Sequence, residues 1–164
     1  MWKKVLFVSN DDTCRAPIAA AILKEKGIEE KGISVETRGL VSLFPEPVNQ
    51  KAAAVLISHG IEADDHRSAP LKAEDVDENT LVLVMEHKQL QKALAIIGED
   101  KAQQTTVLTE LTGEELDVMN PYGAPLPTYG LCYESLLISI GKLYDWLLSI
   151  DTDSKGEENE RKEN

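Results

Sequence analysis

Residues 5–17 read VLFVSNDDTCRAP, and this stretch decides the fold. It begins with four apolar residues, Val5 to Val8, which suit a strand that is buried on both faces of a parallel sheet. The polar residues Ser9 to Cys14 follow. The alanine-rich run Arg15 to Lys24 comes next, and Pro17 is tolerated there because it falls in the first turn of a helix. The chain therefore opens with a strand, a polar loop and a helix.

The same alternation continues along the chain. Further strands are predicted over Ile33–Thr37, Thr80–Met85 and Thr105–Leu108. Helices are predicted over Gln50–His59, Lys88–Ile97 and Tyr129–Ile150, with a loop over Thr112–Pro127. Strands that alternate with helices form right-handed crossovers and a parallel sheet. The sequence therefore predicts an α/β fold: a single three-layer domain over residues 1–150, with a four-stranded parallel sheet flanked by helices.

The charge balance excludes several classes of partner. The 164 residues include 17 Lys and Arg against 29 Asp and Glu, a formal net charge of −12. Nucleic acids and anionic membrane surfaces both require a basic face, so neither is expected as a partner. Two cysteines are too few for a disulfide framework or a zinc finger, and the three scattered histidines lack metal-ligand spacing. We expect no metal and no cofactor.

The residues at the two ends of the chain carry separate expectations. The apolar run after Met1 is too short for the core of a signal peptide, which favours a cytoplasmic protein. Residues 151–164 hold no apolar residue, with six acids and three bases. We expect this segment to be an acidic disordered tail.

The first loop is placed to bind an anion. Ligands of parallel α/β sheets bind at the carboxyl ends of the strands, and residues 9–15 lie there. They also precede a helix, whose free N–H groups and dipole favour negative charge. Arg15 can serve as a bidentate phosphate clamp.

The loop resembles the phosphate loop of the low-molecular-weight protein-tyrosine phosphatases, in which a first strand leads into Cys-x-Gly-Asn-x-Cys-Arg-Ser-Pro. The resemblance extends over nearly the whole domain, through Ser58–Ile61 (SHGI), His66–Leu71 (HRSAPL), Leu81–Met85 (LVLVM) and Leu116–Gly123 (LDVMNPYG). Thr13 and the last of these stretches look more like the bacterial protein-arginine phosphatase branch. The resemblance implies a Rossmann-like phosphatase fold.

The resemblance also assigns positions to the chemistry of the family, and this chain departs from that chemistry. Ser9 stands at the position of the nucleophilic cysteine, Asn120 at that of the general acid, and Arg15 keeps the phosphate clamp. A serine hydroxyl is a weak nucleophile without an adjacent base, and an amide cannot act as a carboxylic acid. We therefore predict a pseudophosphatase, which binds a protein partner or a phosphoprotein without turnover.

The binding residues of the loop are altered as well. By resemblance, the pocket is predicted to be lined by Asn10, Asp11, Asp12, Thr13, Cys14 and Tyr122. Asp11 and Asp12 replace the glycine and asparagine of the family pattern. A carboxylate ~4 Å from one phosphate charge costs about 4 kcal/mol at an effective dielectric of ~20. We expect the repulsion from two carboxylates to cancel the attraction for phosphate that Arg15 and the helix N-terminus contribute. The glycine position can also require positive φ, which aspartate tolerates.

The sequence leaves one alternative function open and argues against two others. A residual or altered protein phosphatase, acting on phosphotyrosine or phosphoarginine in the same pocket, is the alternative that Arg15 and the loop length support. Ser9-x-Asp11-x-Thr13 also resembles the Asp-x-Asp-x-Thr motif of haloacid-dehalogenase-type phosphatases, but its aspartate nucleophile is again a serine. Arsenate reduction of the family type needs more cysteines than Cys14 and Cys132, which we expect to be packing residues.

Overall fold

Four parallel strands form one sheet, which sets the frame of the molecule. They are β1 Lys4–Ser9, β2 Ser34–Gly39, β3 Thr80–Val84 and β4 Thr105–Val107. The order across the sheet is β2-β1-β3-β4, so the strand that precedes the polar loop is central. Val5 lies opposite Val35 on one side and Leu81 on the other. The predicted strands and the α/β fold are confirmed.

Five helices cover the two faces of the sheet in the computed structural model, which describes the backbone of residues 1–163 and the side chains of residues 1–150. They are α1 Arg15–Glu25, α2 Gln50–Ser58, α3 His87–Ile97, α4 Leu108–Thr112 and α5 Leu126–Glu163. The apolar side chains of α1, α2 and α5 bury one face against Val5 and Phe7. Those of α3 bury the other face against Leu6 and Val8. These are the three predicted layers.

The last helix extends past residue 150, where the sequence predicted that the domain ends. In the structure the backbone of residues 151–163 continues α5, where an irregular chain was expected. The side chains of this segment and Asn164 lie outside the described residues, so the predicted tail over residues 151–164 stays a prediction. Within the described part of the chain, no helix is both long and apolar enough to span a membrane.

The ends of β1 and β2 hold the polar loop in place. Leu40 N–H donates to the Ser9 carbonyl (2.9 Å), and Val41 N–H donates to the Asn10 carbonyl (2.7 Å). Gly39 ends β2 directly against the loop, because a Cβ there would lie 2.9 Å from the backbone carbonyl carbon of Asp11. This close approach requires glycine and fixes the loop beside the carboxyl end of β2.

Candidate active site

A polar pocket of about 300 Å³ opens at the carboxyl end of β1. It is lined by Ser9, Asn10, Asp11, Thr13, Cys14, Arg15, Asn49, Asn120, Tyr122 and Tyr129. The structure therefore brings together eight of the nine residues that the sequence nominated. Asp12 is the exception.

Ser9 lies at the base of this pocket, as the last residue of β1. Its side chain is 2% exposed, and its Oγ has no hydrogen-bond partner among the described residues. No histidine lines the pocket within that part of the chain, and no side chain there hydrogen-bonds to the hydroxyl. An orphaned buried hydroxyl is costly for folding, so it points to a ligand-facing position.

Arg15 is fixed at the back of the pocket. Its guanidinium is 3% exposed and its Nη1 donates to the Val118 carbonyl (3.0 Å). The same nitrogen lies 3.1 Å from Oε2 of Glu86, which is largely buried. Arg15 thus lies where the predicted phosphate clamp requires it, but part of its charge is offset by a carboxylate that the sequence did not reveal.

Asp11 faces the pocket and uses its carboxylate to shape the loop. Its Oδ1 accepts hydrogen bonds from the Thr13 backbone N–H (3.2 Å) and from Thr13 Oγ1 (2.9 Å). This N–H belongs to the loop at the N-terminus of α1, where free amides bind anions. Asp11 therefore removes one donor from an incoming anion and adds a negative charge beside it.

Asp12 turns away from the pocket, which corrects the expectation that both carboxylates face the ligand. It is fully buried, and its Oδ2 accepts from the Ala69 N–H (3.1 Å). His66 Nε2 donates to the backbone oxygen of Asp12 (2.7 Å) and lies 3.7 Å from its Oδ1. Burial raises the pKa of this carboxyl above its ordinary value. The positive φ expected at Asp11 belongs to Asp12, at 62°.

Asp11 and Asp12 do not lie in a cluster of metal-ligating side chains among the described residues. Within the described part of the chain, no three His, Cys, Asp or Glu side chains come together in an arrangement that could hold a metal ion.

Asn120 and Tyr122 reach the pocket from the loop between α4 and α5. Asn120 Oδ1 accepts from the Tyr122 N–H (3.2 Å), so the amide stabilises a turn at the pocket wall. Tyr122 is 78% exposed. The position predicted for the general acid is thus occupied by a group that can hydrogen-bond but cannot protonate a leaving group.

Comparison with known proteins agrees with this geometry. The family described as low molecular weight phosphotyrosine protein phosphatase matches residues 4–154. The chain belongs to this family. A protein-arginine-phosphatase from Geobacillus stearothermophilus is 32% identical over 144 residues, which cover 88% of this chain and 95% of the relative.

Solved structures of the family superpose closely on this fold. The YwlE arginine phosphatase from Geobacillus stearothermophilus gives a TM-score of 0.85 at 30% identity, over 92% of this chain and 96% of that one. A cysteine-to-serine mutant of YwlE arginine phosphatase, with a phosphorylated active-site serine, gives 0.81 at 26% identity, over 88% and 95%.

Two residues of this phosphatase-type pocket were missed by sequence reasoning. Asn49 caps α2 by accepting from the N–H groups of Lys51 (2.9 Å) and Ala52 (3.4 Å), and its own N–H donates to the Thr13 carbonyl (2.8 Å). An asparagine before a helix is a readable cap signal, but nothing in the sequence places it beside the loop. Tyr129 lies in the first turns of α5, and only the packing of that helix brings it to the pocket.

Proposed function

We propose that this protein is a pseudophosphatase, which retains the phosphate-loop pocket of its family without catalysing turnover. The observation that carries the proposal is the pair of Ser9 and Asn120 in one pocket with Arg15. A hydroxyl replaces the thiolate at the predicted nucleophile position, no side chain among the described residues hydrogen-bonds to it as a base, and an amide replaces the acid at position 120. A positioned general acid contributes roughly 10²–10⁴-fold by itself, so its loss and that of the thiolate together leave little rate.

A binding role is supported by the surroundings of the pocket. Segment 41–49 is tied to the loop at both ends, through Val41 to Asn10 and through Asn49 to Thr13. Between these ties, Leu43 is 82% exposed and Phe44 is 73% exposed. Exposed apolar side chains beside a polar pocket are typical of protein-binding surfaces. We infer that the partner is a protein, or a phosphoprotein that also enters the pocket.

A second candidate is an altered phosphatase that accepts one phosphoryl group. The buried Ser9 Oγ without a partner supports it, as does the related arginine phosphatase mutant whose active-site serine is phosphorylated. In such a step the Oγ–P bond forms, the P–N bond of phosphoarginine breaks, and the serine proton goes to the leaving guanidine. With an amide at Asn120 the phosphoserine would then persist.

One experiment separates the candidates. Wild type and Ser9→Ala are incubated with a phosphoarginine peptide and with an aryl phosphate, and both phosphate release and intact protein mass are followed. A pseudophosphatase gives the same background release and unchanged mass in both proteins. A mass gain of one phosphoryl group, lost in Ser9→Ala, would favour the second candidate. Many equivalents of phosphate, released by wild type and abolished in Ser9→Ala, would contradict the main proposal.

A further inference from the structure

The two cysteines of the chain, Cys14 and Cys132, meet at the inner wall of the pocket. Their side chains are hydrogen-bonded to one another, although they lie at opposite ends of the domain sequence. Both thiols are free in the structure. Cys14 is half-buried and lines the pocket, whereas Cys132 is fully buried in α5.

The packing of α5 against the loop holds this contact in place. Tyr129, one turn before Cys132, lines the same pocket as Cys14. Cys132 Sγ also lies 3.7 Å from the Met119 carbonyl, on the loop that carries Asn120. The Cys132 side chain is therefore enclosed on the side of α5 that packs against the pocket wall. Cys14 is the thiol that a small solute in the pocket can reach.

We propose that Cys14 and Cys132 are a redox modification site, at which a hydroperoxide that enters the pocket converts the thiol pair into a reversible disulfide. This site does not depend on the proposed function, because it involves neither Ser9 nor Asn120. Its product would join the phosphate loop covalently to α5.

The reaction balances with hydrogen peroxide as the oxidant. The Cys14 thiolate attacks one oxygen, the O–O bond breaks, and Cys14 sulfenic acid and hydroxide form. The Cys132 sulfur then attacks the sulfur of Cys14, the S–S bond forms, the S–O bond breaks, and water leaves. In total the two thiols lose two electrons and two protons, and the peroxide is reduced to two waters.

The hydrogen bond between the two thiols decides which of them ionises first. The hydrogen bond between the thiols lowers the pKa of Cys132 and raises that of Cys14, while the charge of Arg15 favours both thiolates. The pair therefore loses its first proton as a unit. The negative charge rests on Cys132, whose pKa is lowered, and a proton shift across the hydrogen bond is required to place it on Cys14, the sulfur that faces the pocket.

The test uses the full chain, reduced, desalted and treated with hydrogen peroxide, with wild type beside Cys14→Ser and Cys132→Ser. Peptide mapping of unfolded, alkylated wild type should show residues 14 and 132 cross-linked, with the mass lower by two hydrogens and restored by dithiothreitol. Each variant should show no internal cross-link. Because the disulfide closes a long loop, the Tm of oxidised wild type should rise by about 10 °C.

Three results would overturn the proposal: oxidation of Cys14 to sulfinic acid beside a free Cys132 thiol, cross-links only between molecules, or two intact thiols under conditions that oxidise the unfolded chain. The peptide map of wild type decides between these results by itself, so the test holds even if Cys132→Ser fails to fold.

Discussion

Asp11 and Asp12 are neighbours in the sequence but have opposite surroundings in the fold. Asp11 lines the pocket and binds Thr13, whereas Asp12 is buried behind the loop against Ala69 and His66. The left-handed backbone of Asp12 causes the difference, because it turns this side chain to the other side of the loop. Only Asp11 therefore acts on a ligand in the pocket.

Binding of inorganic phosphate should respond to Asp11 alone. In Asp11→Asn the amide oxygen can still accept from Thr13, but the negative charge in the pocket is gone. After allowance for solvent screening we expect affinity roughly tenfold tighter, measured by titration calorimetry. Asp12→Asn is the matched control and should leave phosphate affinity unchanged. Equal effects of the two substitutions would show that the orientation of Asp12 described here is incorrect.

Asp12 should instead affect stability, in a pH-dependent way. Burial raises the pKa of its carboxyl in the fold, so its favourable contribution is full below the ordinary value of 3.8 and is lost as the pH rises through the folded pKa. Asp12→Asn removes this loss and should increase the free energy of unfolding by about 1 kcal/mol at pH 7. The gain should shrink as the pH falls toward 4.

Urea denaturation of wild type and Asp12→Asn at several pH values measures this difference. Asp65→Asn, a change at an exposed carboxylate nearby, serves as the control and should stay within about 0.5 kcal/mol of wild type at every pH. A loss of stability in Asp12→Asn at pH 7 would mean that the ionised carboxylate is the favoured form.

At the scale of single residues, the sequence predicted which side chains gather in the pocket but not how each is engaged. Ser9, Arg15 and Asn120 lie where the resemblance placed them. The pairing of Arg15 with Glu86 and the rotation of Asp12 depend on backbone angles and on contacts between distant segments. Neither leaves a pattern in the local sequence.

At the scale of elements, the end of β2 and the phosphate loop form one unit. Gly39 allows the strand end and the loop to pack this closely, because it has no Cβ. A Cβ at this position would lie 2.9 Å from the Asp11 carbonyl carbon and 3.2 Å from the Asp12 backbone nitrogen. Gly39→Ala should therefore displace the loop and lower the free energy of unfolding by about 1–3 kcal/mol.

Gly130→Ala is the matched control for this prediction. Gly130 lies inside α5, and a Cβ there meets no atom within 4 Å. The change should stabilise the fold by about 0.5–1 kcal/mol, because alanine favours the helix. Urea denaturation measures both variants. If Gly39→Ala were as stable as wild type, the close approach of β2 to the loop would be incorrect.

The elements with a clear apolar pattern were the ones that the sequence predicted. The strand at Val5–Val8 and the helix over Gln50–His59 fall within a few residues of β1 and α2. The five residues of α4 were missed, since so short a segment shows no helical period. Tertiary contacts, not local propensity, decide such a segment, as when Leu108 packs into the core.

At the scale of the whole molecule, the residues that hold the fold together are different from those at the predicted reacting positions. The two apolar clusters that hold the sheet between its helices contain neither Ser9 nor Asn120. A chain can therefore keep the architecture of its family while the reacting groups change. The net charge of −12 adds no attraction for phosphate groups.

The most direct test of this account is the steady-state hydrolysis of an aryl phosphate by wild type, Ser9→Ala and the double variant Ser9→Cys, Asn120→Asp in one assay. We expect wild type and Ser9→Ala to match the buffer rate. The double variant, with a thiolate at the N-terminus of α1 and a restored acid, should exceed them by roughly 10²-fold or more. Turnover by wild type that Ser9→Ala removes would contradict the account.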